Sequence, residues 1–138
     1  MNCKPIIIVA GEPNSIFFEI FFKVIKKKIK SPIILIASEK LILKQAKILK
    51  SKINYSLKDE NELIKKKNKL KKINLINVNL NQNKAFDKIS SKSNKYISSC
   101  FEIALRLIKK DISNKLINPF AVALSVAGEL TSDCVNDC

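Results

Sequence analysis

Short apolar runs alternate with amphipathic segments over the first fifty residues of the chain. The run Pro5–Ala10 is a nearly continuous series of β-branched residues followed by a glycine, which is typical of a strand buried on both faces in a parallel sheet. The run Ile33–Ala37 repeats this pattern. Apolar residues at helical spacing predict helices from Ile16 to about Ile29 and from Glu39 to about Lys50.

Both predicted helices begin with capping signals. Asn14 or Ser15 can cap the first helix, in whose first turn Glu19 favours the positive end of the helix dipole. Ser38 can cap the second helix. In the first helix, apolar residues recur every four positions in two series: Ile16, Ile20 and Val24, and Phe17, Phe21 and Ile25. In the second helix, the residues expected on the inner stripe are Leu41, Ile42, Ile48 and Leu49.

The pattern loosens between Ile53 and Lys72 into a lysine-rich stretch, which we interpret as an exposed connection. Ile73–Val78 predicts a third strand, and a long helix is expected from about Ser90 to Lys110. One face of this helix is continuously apolar and is expected to be buried, with its cysteine as a structural thiol: Tyr96, Ile97, Cys100, Phe101, Ala104, Leu105 and Ile108. The βαβα order predicts an α/β fold with an incomplete sheet.

The character of the chain changes after Leu116–Asn118, which has the start of a strand. Residues 119–138 contain no lysine, arginine or isoleucine, although residues 1–118 hold all 26 basic residues and 22 isoleucines. We therefore interpret 1–118 as part of an α/β domain and 119–138 as an atypical tail that arose from a frameshift, a joining error or a gene fusion. An ordinary acidic tail, containing Glu129, Asp133 and Asp137, is the alternative.

The formal net charge of +14 raises the question of nucleic-acid binding. Arg106 is the single arginine among the 26 basic residues, whereas base recognition and bidentate phosphate contacts depend on the arginine fork. Lys, Ile and Asn supply 61 of the 138 residues, a bias that an A/T-rich coding sequence imposes on any protein. A solvated lysine surface is therefore favoured over nucleic-acid binding.

Nothing in the sequence directs the chain to a membrane or to an oxidising compartment. The first apolar run is too short for a secretory signal, and Glu19 and Lys23 interrupt the most apolar segment. The four cysteines have no regular spacing, and Cys134 and Cys138 lack the further ligands that a zinc site needs. We expect a cytoplasmic protein with reduced thiols.

The chemistry open to the chain is restricted because it contains no histidine, the usual general base and zinc ligand. It has two glycines, which excludes glycine-rich phosphate-binding motifs. The loop Gly11–Ser15 nevertheless joins a buried strand to a helix N-terminus, where α/β proteins place anionic ligands. It fits either an ordinary turn or part of a binding site. Asp59, Glu60 and Glu62 fall in the loose connection, which argues against an acid/base pair.

The segment Pro5–Ile20 resembles the opening of the 4-hydroxythreonine-4-phosphate dehydrogenase family, in which a strand leads into a Gly-Asp/Glu-Pro-x-Gly-Ile-Gly-Pro-Glu-Ile loop and helix. The matching positions are Gly11, Glu12, Pro13, Ile16, Glu19 and Ile20. Two glycines and a proline of the family pattern are replaced by Ser15, Phe17 and Phe18.

A second likeness covers Ala85–Asn118, which is similar to the family segment that leads into a Thr/Gly-x-Pro-Ile-x-Lys motif. Pro119-Phe-Ala-Val stands here in place of that motif, at the point where the composition changes. The resemblance thus spans residues 4 to about 118, with its most specific matches at the two ends.

The resemblance implies a partial three-layer α/β/α fold of the isocitrate/isopropylmalate dehydrogenase type. It also implies a cytoplasmic, homodimeric oxidoreductase of pyridoxine and pyridoxal phosphate biosynthesis. Members of the family oxidise 4-phosphonooxy-L-threonine with NAD or NADP, and the product decarboxylates to 3-amino-2-oxopropyl phosphate. A divalent metal held by three histidines acts as the Lewis acid. By this resemblance Gly11, Glu12 and Pro13 form a substrate-side loop.

The resemblance assigns no residue of this chain to catalysis or to metal binding, because the metal ligands, the substrate-binding His-Thr pair and the later cofactor-shaping portion have no counterpart. We expect the chain alone to be inactive and to bind neither NAD(P) nor metal productively. Two other functions stay open, namely a small lysine-rich nucleic-acid-binding module and a stand-alone α/β interaction domain that dimerises through its long helix.

Overall fold

The computed structural model of the protein describes residues 3–66 and 69–113, together with the backbone of 116–117. Within these residues, five strands form one parallel sheet: β1 (Ile6–Val9), β2 (Ile33–Ala37), β3 (Ser56–Leu57), β4 (Ile73–Asn77) and β5 (Leu116–Ile117). The helices are α1 (Phe17–Val24), α2 (Glu39–Ile48), α3 (Glu60–Ile64) and α4 (Asn94–Lys109), and a 3-10 turn over Ser91–Ser93 precedes α4. The predicted α/β class is confirmed.

The strands lie in the order β3-β4-β2-β1-β5. Ile6 of β1 pairs with Ile33 of β2, which in turn pairs with Ile73 of β4, so the three central strands begin at the same level. At the edge, Leu116 of β5 pairs with Ile7 of β1. Because all neighbours are parallel, each connection between strands has to cross a face of the sheet.

The two central strands are buried on both faces. Every residue of β1 and β2 is buried. Successive side chains of a strand point to opposite faces, so Ile6 and Ile8 pack with α1 and α2, whereas Ile7 and Val9 pack with α3 and α4. Helices on both sides explain why these strands read as continuous apolar runs rather than as alternating ones.

The helices divide between the faces according to the direction in which the chain crosses the sheet. The connections through α1 and α2 move one way and pack on one face, whereas those through α3 and α4 move the opposite way and pack on the other. A single crossover hand produces this division. Such uniformity is expected, since parallel crossovers are right-handed in about 98% of cases.

α1 contributes a cluster of aromatic rings to the core. The rings lie with centroids between 5.1 and 6.3 Å apart, and all four side chains are buried: Phe17, Phe18, Phe21 and Phe22. Aromatic pairs at such distances are stabilised beyond the area that they bury. The predicted first helix is therefore confirmed as a core element.

α1 is nevertheless shorter than predicted, since it ends at Val24 instead of near Ile29. The residues after Val24 lead the chain back to the start of β2 at Ile33. Ile16, the predicted first residue of the helix, precedes it and is 63% exposed. Ile20 is half-buried.

α2 begins as predicted, because the Leu41 amide donates to the Ser38 hydroxyl at 3.4 Å. Its inner face is only partly as expected. Leu41 and Ile42 are buried, but Ile48 is 60% exposed and its assignment to the core was wrong. Gln45 and Ala46 take the inner positions of the second turn. Ile48 is the last residue of α2 and lies at the edge of its buried stripe, next to the partly buried Leu49.

α4 extends over nearly the whole predicted range, but its buried stripe is narrower than the predicted face. The buried residues Tyr96, Cys100, Ala104 and Leu107 follow at spacings of four, four and three. Leu105, which was expected in the core, is 52% exposed. Leu107 was not predicted and is fully buried.

The lysine-rich stretch is not a simple exposed connection, because it contains β3 and α3. The Asp59 carboxylate caps α3 by accepting the Asn61 amide at 2.8 Å, and Leu63 is buried. Glu60 receives two hydrogen bonds from Arg106, at 2.7 and 3.0 Å. Elements of two and five residues are too short to show a hydrophobic period, so the sequence pattern could not reveal them.

The remaining elements follow the sequence. β4 confirms the strand predicted at Ile73–Val78, and β5 confirms the strand start at residue 116. Asn118 and the tail 119–138, which includes Cys134 and Cys138, lie outside the described residues. Within the described part of the chain, no helix is both long enough and apolar enough to cross a membrane.

A pair of leucine substitutions tests the orientation of α4. Leu107→Ala is expected to lower the free energy of unfolding by about 2–5 kcal/mol, because it opens a cavity in the core. Leu105→Ala removes the same atoms from an exposed position and is expected to cost less than about 1 kcal/mol. Urea denaturation of both variants measures the difference, and equal losses would contradict the packing of α4.

Candidate functional site

The loop Gly11–Ser15 lies at the carboxyl end of β1 and leads into α1. Gly11 has φ 67°, a left-handed conformation that a residue with a side chain adopts only at a cost. The Asn14 amide donates to the Glu12 carboxylate at 3.1 Å, and the Ser15 hydroxyl donates to the Glu12 carbonyl at 2.8 Å. The Phe17 amide donates to Ser15 Oγ at 3.3 Å. The N-cap residue of α1 is nevertheless Ile16, which makes no side-chain cap hydrogen bond, so the prediction that Asn14 or Ser15 caps this helix was wrong.

Gln45 of α2 holds this loop from the side of the core. Its Nε2 donates to the Pro13 carbonyl at 2.9 Å and to the Ala85 carbonyl at 2.7 Å. Its Oε1 is buried and has no hydrogen-bond partner in the described structure. A buried acceptor of this kind costs about 1–3 kcal/mol, so the side chain is retained there by the two bonds that its nitrogen makes.

A second segment, residues 80–88, here termed the strap, lies across the loop. Asn14 and Gln82 exchange two amide hydrogen bonds, at 3.2 and 2.8 Å. The Asp87 amide also donates to Asn14 Oδ1 at 2.9 Å. On α2, Lys44 donates to the carbonyls of Gln82 and Asn83. The strap therefore fixes the outer side of the loop through polar contacts rather than apolar packing.

The crevice of this sheet lies between β2 and β4, whose following helices pack on opposite faces. Such a point is where open α/β sheets bind ligands. Here the Ser38 amide donates to the Tyr96 hydroxyl and the Glu39 amide donates to Asn77 Oδ1, both at 2.9 Å. Because the Leu41 amide is bonded to Ser38 Oγ, three donors at the start of α2 are satisfied by the protein's own side chains. This helix terminus is thus closed to an anion.

Two titratable side chains beside the crevice, Cys100 and Tyr96, are buried, and burial favours their neutral forms. Burial raises the pKa of Cys100 to about 11, and the hydrogen bond to Tyr96 opposes this rise. Burial also raises the pKa of Tyr96, and the nearby charges of Cys100 and Glu12 act in the same direction. Cys100 is a free, buried thiol, which confirms its structural role. Cys3 forms a disulfide, contrary to the expectation of reduced thiols.

Several acidic residues of the described structure bind to groups of the protein itself. Asp59 caps α3, and Glu60 pairs with Arg106. Glu39 accepts a hydrogen bond from Tyr55 at 2.7 Å, and burial followed by this contact raises the pKa of Tyr55 to about 12. Among the described residues, no three histidine, cysteine, aspartate or glutamate side chains converge as a metal site would require.

The structure places Gly11, Glu12 and Pro13 together at the carboxyl edge of the sheet. Gly11 and Pro13 are buried, and Glu12 is half-buried. Sequence reasoning missed Gln45 and Gln82, which fix the loop. A glutamine within an apolar helical stripe was the available signal for Gln45, whereas nothing local distinguishes Gln82 from its polar neighbours.

Comparisons with models of protein families and with curated proteins find no match for this chain.

The strap contacts can be tested by removing the Asn14 side chain. Asn14→Ala deletes three hydrogen bonds and is expected to lower the free energy of unfolding by about 1–3 kcal/mol. It should also speed hydrogen exchange at the Asp87 amide and tryptic cleavage after Lys84 and Lys88. Asn83→Ala makes the same change at an exposed position of the strap and should leave both rates unchanged. An unaltered Asp87 amide in Asn14→Ala would contradict the strap.

The raised pKa of Cys100 predicts a loss of stability in alkali. The folded state holds the neutral thiol, so this contribution is complete below the ordinary pKa of 9.0 and disappears as the pH approaches about 11. A shift of this size corresponds to about 2–3 kcal/mol. The free energy of unfolding, measured by urea denaturation from pH 8 to 11, should therefore fall more steeply with pH for the unmodified chain than for Cys100→Ala. Parallel pH profiles would show that the thiol is not desolvated.

Proposed function

We propose that this chain is the N-terminal portion of a dehydrogenase of the 4-hydroxythreonine-4-phosphate dehydrogenase type, inactive on its own. The observation that carries the proposal is the position of Gly11–Glu12–Pro13. These residues, which match the family motif, leave the first strand of a parallel sheet at its carboxyl edge and lead directly into a helix with Glu19 in its first turn.

The architecture supports an origin in a larger three-layer domain. Helices cover both faces of the sheet, as a partial isocitrate/isopropylmalate dehydrogenase-like fold requires. On the side of β1, the described sheet ends with β5, two residues long. Further strands beyond this edge would complete the domain in the intact enzyme.

The loop has the properties of a substrate-side element. Gly11 lets the backbone turn sharply, and Gln45 together with the strap fixes the loop before any ligand arrives. Preorganisation of this kind reduces the entropy lost on binding. The substrate of the intact enzyme would be a phosphorylated small molecule, 4-phosphonooxy-L-threonine, which is oxidised before its product decarboxylates to 3-amino-2-oxopropyl phosphate.

The chemistry itself requires groups that this chain does not contain. In the intact family a divalent metal on three histidines polarises the substrate hydroxyl while NAD or NADP accepts a hydride. The chain has no histidine, and Cys100 and Tyr96 are held neutral by burial. Metal and NAD(P) binding, a homodimeric state and a role in cytoplasmic pyridoxine biosynthesis therefore belong, in this proposal, to the complete enzyme.

The proposal predicts an inactive chain. Purified 138-residue protein, incubated with 4-phosphonooxy-L-threonine, NAD or NADP and a divalent metal, should produce no absorbance of reduced nicotinamide at any enzyme concentration. The intact enzyme of the family in the same assay provides the positive control. Turnover that scales with the concentration of the chain would overturn the assignment of inactivity.

A separate test addresses the ancestry of the chain. The nucleotide sequence after codon 118, read in all three frames, is expected to encode Gly-Pro-Ile-x-Lys followed by a His-Thr pair in a displaced frame. A chain continued in that frame should regain the segment that the tail replaces. Absence of both motifs from every frame would argue against the dehydrogenase origin, whatever the result of the activity assay.

A further inference from the structure

The lysines of the chain are distributed unequally between the two ends of the sheet. In a parallel sheet, the loops that enter strands lie at one edge and those that leave strands lie at the other. The entering loops hold thirteen exposed lysines and a single acidic residue, Asp111, among their described positions. We term this surface the basic edge, formed by residues 3–5, 25–32, 49–55, 65–66, 69–72 and 110–113.

The opposite edge is almost neutral. Its loops contain four lysines and three acidic residues among residues 10–16, 38, 58–59 and 78–93. A biased composition explains how many lysines the chain has, but an even distribution would have given both edges a similar charge. The fold therefore concentrates the charge at one end.

Hydrogen bonds show that the basic edge is one continuous surface. The Ile6 amide donates to the Pro32 carbonyl, and the Ile33 amide donates to the Lys72 carbonyl, both at 2.9 Å. These bonds place the entrances of β1, β2 and β4 side by side. The Lys72 ammonium reaches the carbonyl of Ile25 at the end of α1, also at 2.9 Å. Before β1, Lys4 Nζ lies 3.3 Å from Asp111 Oδ1. This ion pair joins the segment after α4 to the same surface.

The helices neutralise only a small part of this charge. All four α-helices end at the basic edge, and each C-terminus carries roughly half a negative elementary charge. Together they offset about two positive charges, whereas the edge carries a formal +12 from thirteen lysines and one aspartate. Both side chains of the Lys4–Asp111 ion pair are exposed to solvent, so the pair stabilises the positive charge of the edge only weakly.

We propose that the basic edge binds the phosphate backbone of nucleic acid without reading its sequence. Clustered lysines release counterions from such a backbone. The described part of the edge has no arginine, and its one aromatic residue, Tyr55, is bonded to Glu39, so neither base-edge recognition nor base stacking is available. A lipid surface fits less well, because membrane-binding faces carry several exposed apolar side chains for insertion. One such side chain, Ile48, adjoins the basic edge, whereas Ile16, Phe86 and Ile89 lie at the opposite edge.

Two charge-matched variants of the full chain test this interaction. The edge variant carries glutamine at four lysines of the basic edge: Lys26, Lys30, Lys69 and Lys71. The control variant carries glutamine at four lysines of the opposite edge: Lys58, Lys84, Lys88 and Lys92. Both lose the same formal charge, so a difference between them reports the location of the charge. Circular dichroism and thermal melting establish that each variant is folded.

Fluorescence anisotropy measures the affinity of each protein for a short duplex DNA of mixed sequence, between about 50 and 200 mM salt. The unmodified chain should bind with an affinity that falls steeply with salt. In the edge variant the affinity for DNA should drop roughly 10- to 100-fold, and the slope of log affinity against log salt concentration should become smaller in magnitude by about 2–4. The affinity of the control variant should change less than about threefold. Equal losses in both variants, no binding at the lowest salt, or preferential binding to phosphatidylserine vesicles would each overturn the proposal.

Discussion

The fold depends on the burial of β1 and β2 on both faces of the sheet. Their nine residues are almost all isoleucine, leucine or valine, and none is more than 3% exposed. Each buried side chain of this size contributes about 1.5–3 kcal/mol, but only if helices cover both faces. This requirement forces parallel pairing, crossover connections of one hand, and the separation of α1 and α2 from α3 and α4.

The same arrangement decides how the carboxyl edge can act. Loops that leave a fully buried strand bring backbone donors to the rim of an apolar core, where each one needs a partner. Here the Tyr96 hydroxyl and Asn14 Oδ1 accept backbone amides, the Gln45 side chain donates to a backbone carbonyl, and Gln82 holds the Asn14 side chain in place. The result is a rigid, internally bonded rim. Among the described residues, it presents no group of three side chains that could hold a metal ion.

The parts of this structure that could be predicted from sequence are those with an uninterrupted apolar run or a strong helical period. Pro5–Ala10 and Ile33–Ala37 lack polar interruptions, so their strands followed directly. Exposed apolar residues caused the errors. Leu105 lies on the outer side of α4 by its helical phase, and Ile48 is exposed at the last position of α2, at the edge of its buried stripe. The contacts of the site join residues up to 73 positions apart, as between Asn14 and Asp87. No local pattern encodes such a pairing, since it depends on the crossover that returns the chain to the carboxyl edge.

The concentration of lysines at one edge of the sheet follows from the same topology. Lysine is excluded from β1 and β2 by burial and accumulates in the loops that connect helices to strands, all of which a parallel sheet gathers at one edge. A lysine-rich composition thereby produces a one-sided surface charge. Repulsion within this surface lowers the stability of the isolated chain, and any polyanion that relieves it gains affinity by the same amount. The basic edge and the Gly11–Ser15 loop lie at opposite ends of the strands, so the surface can bind a partner whether or not the loop belongs to a working active site.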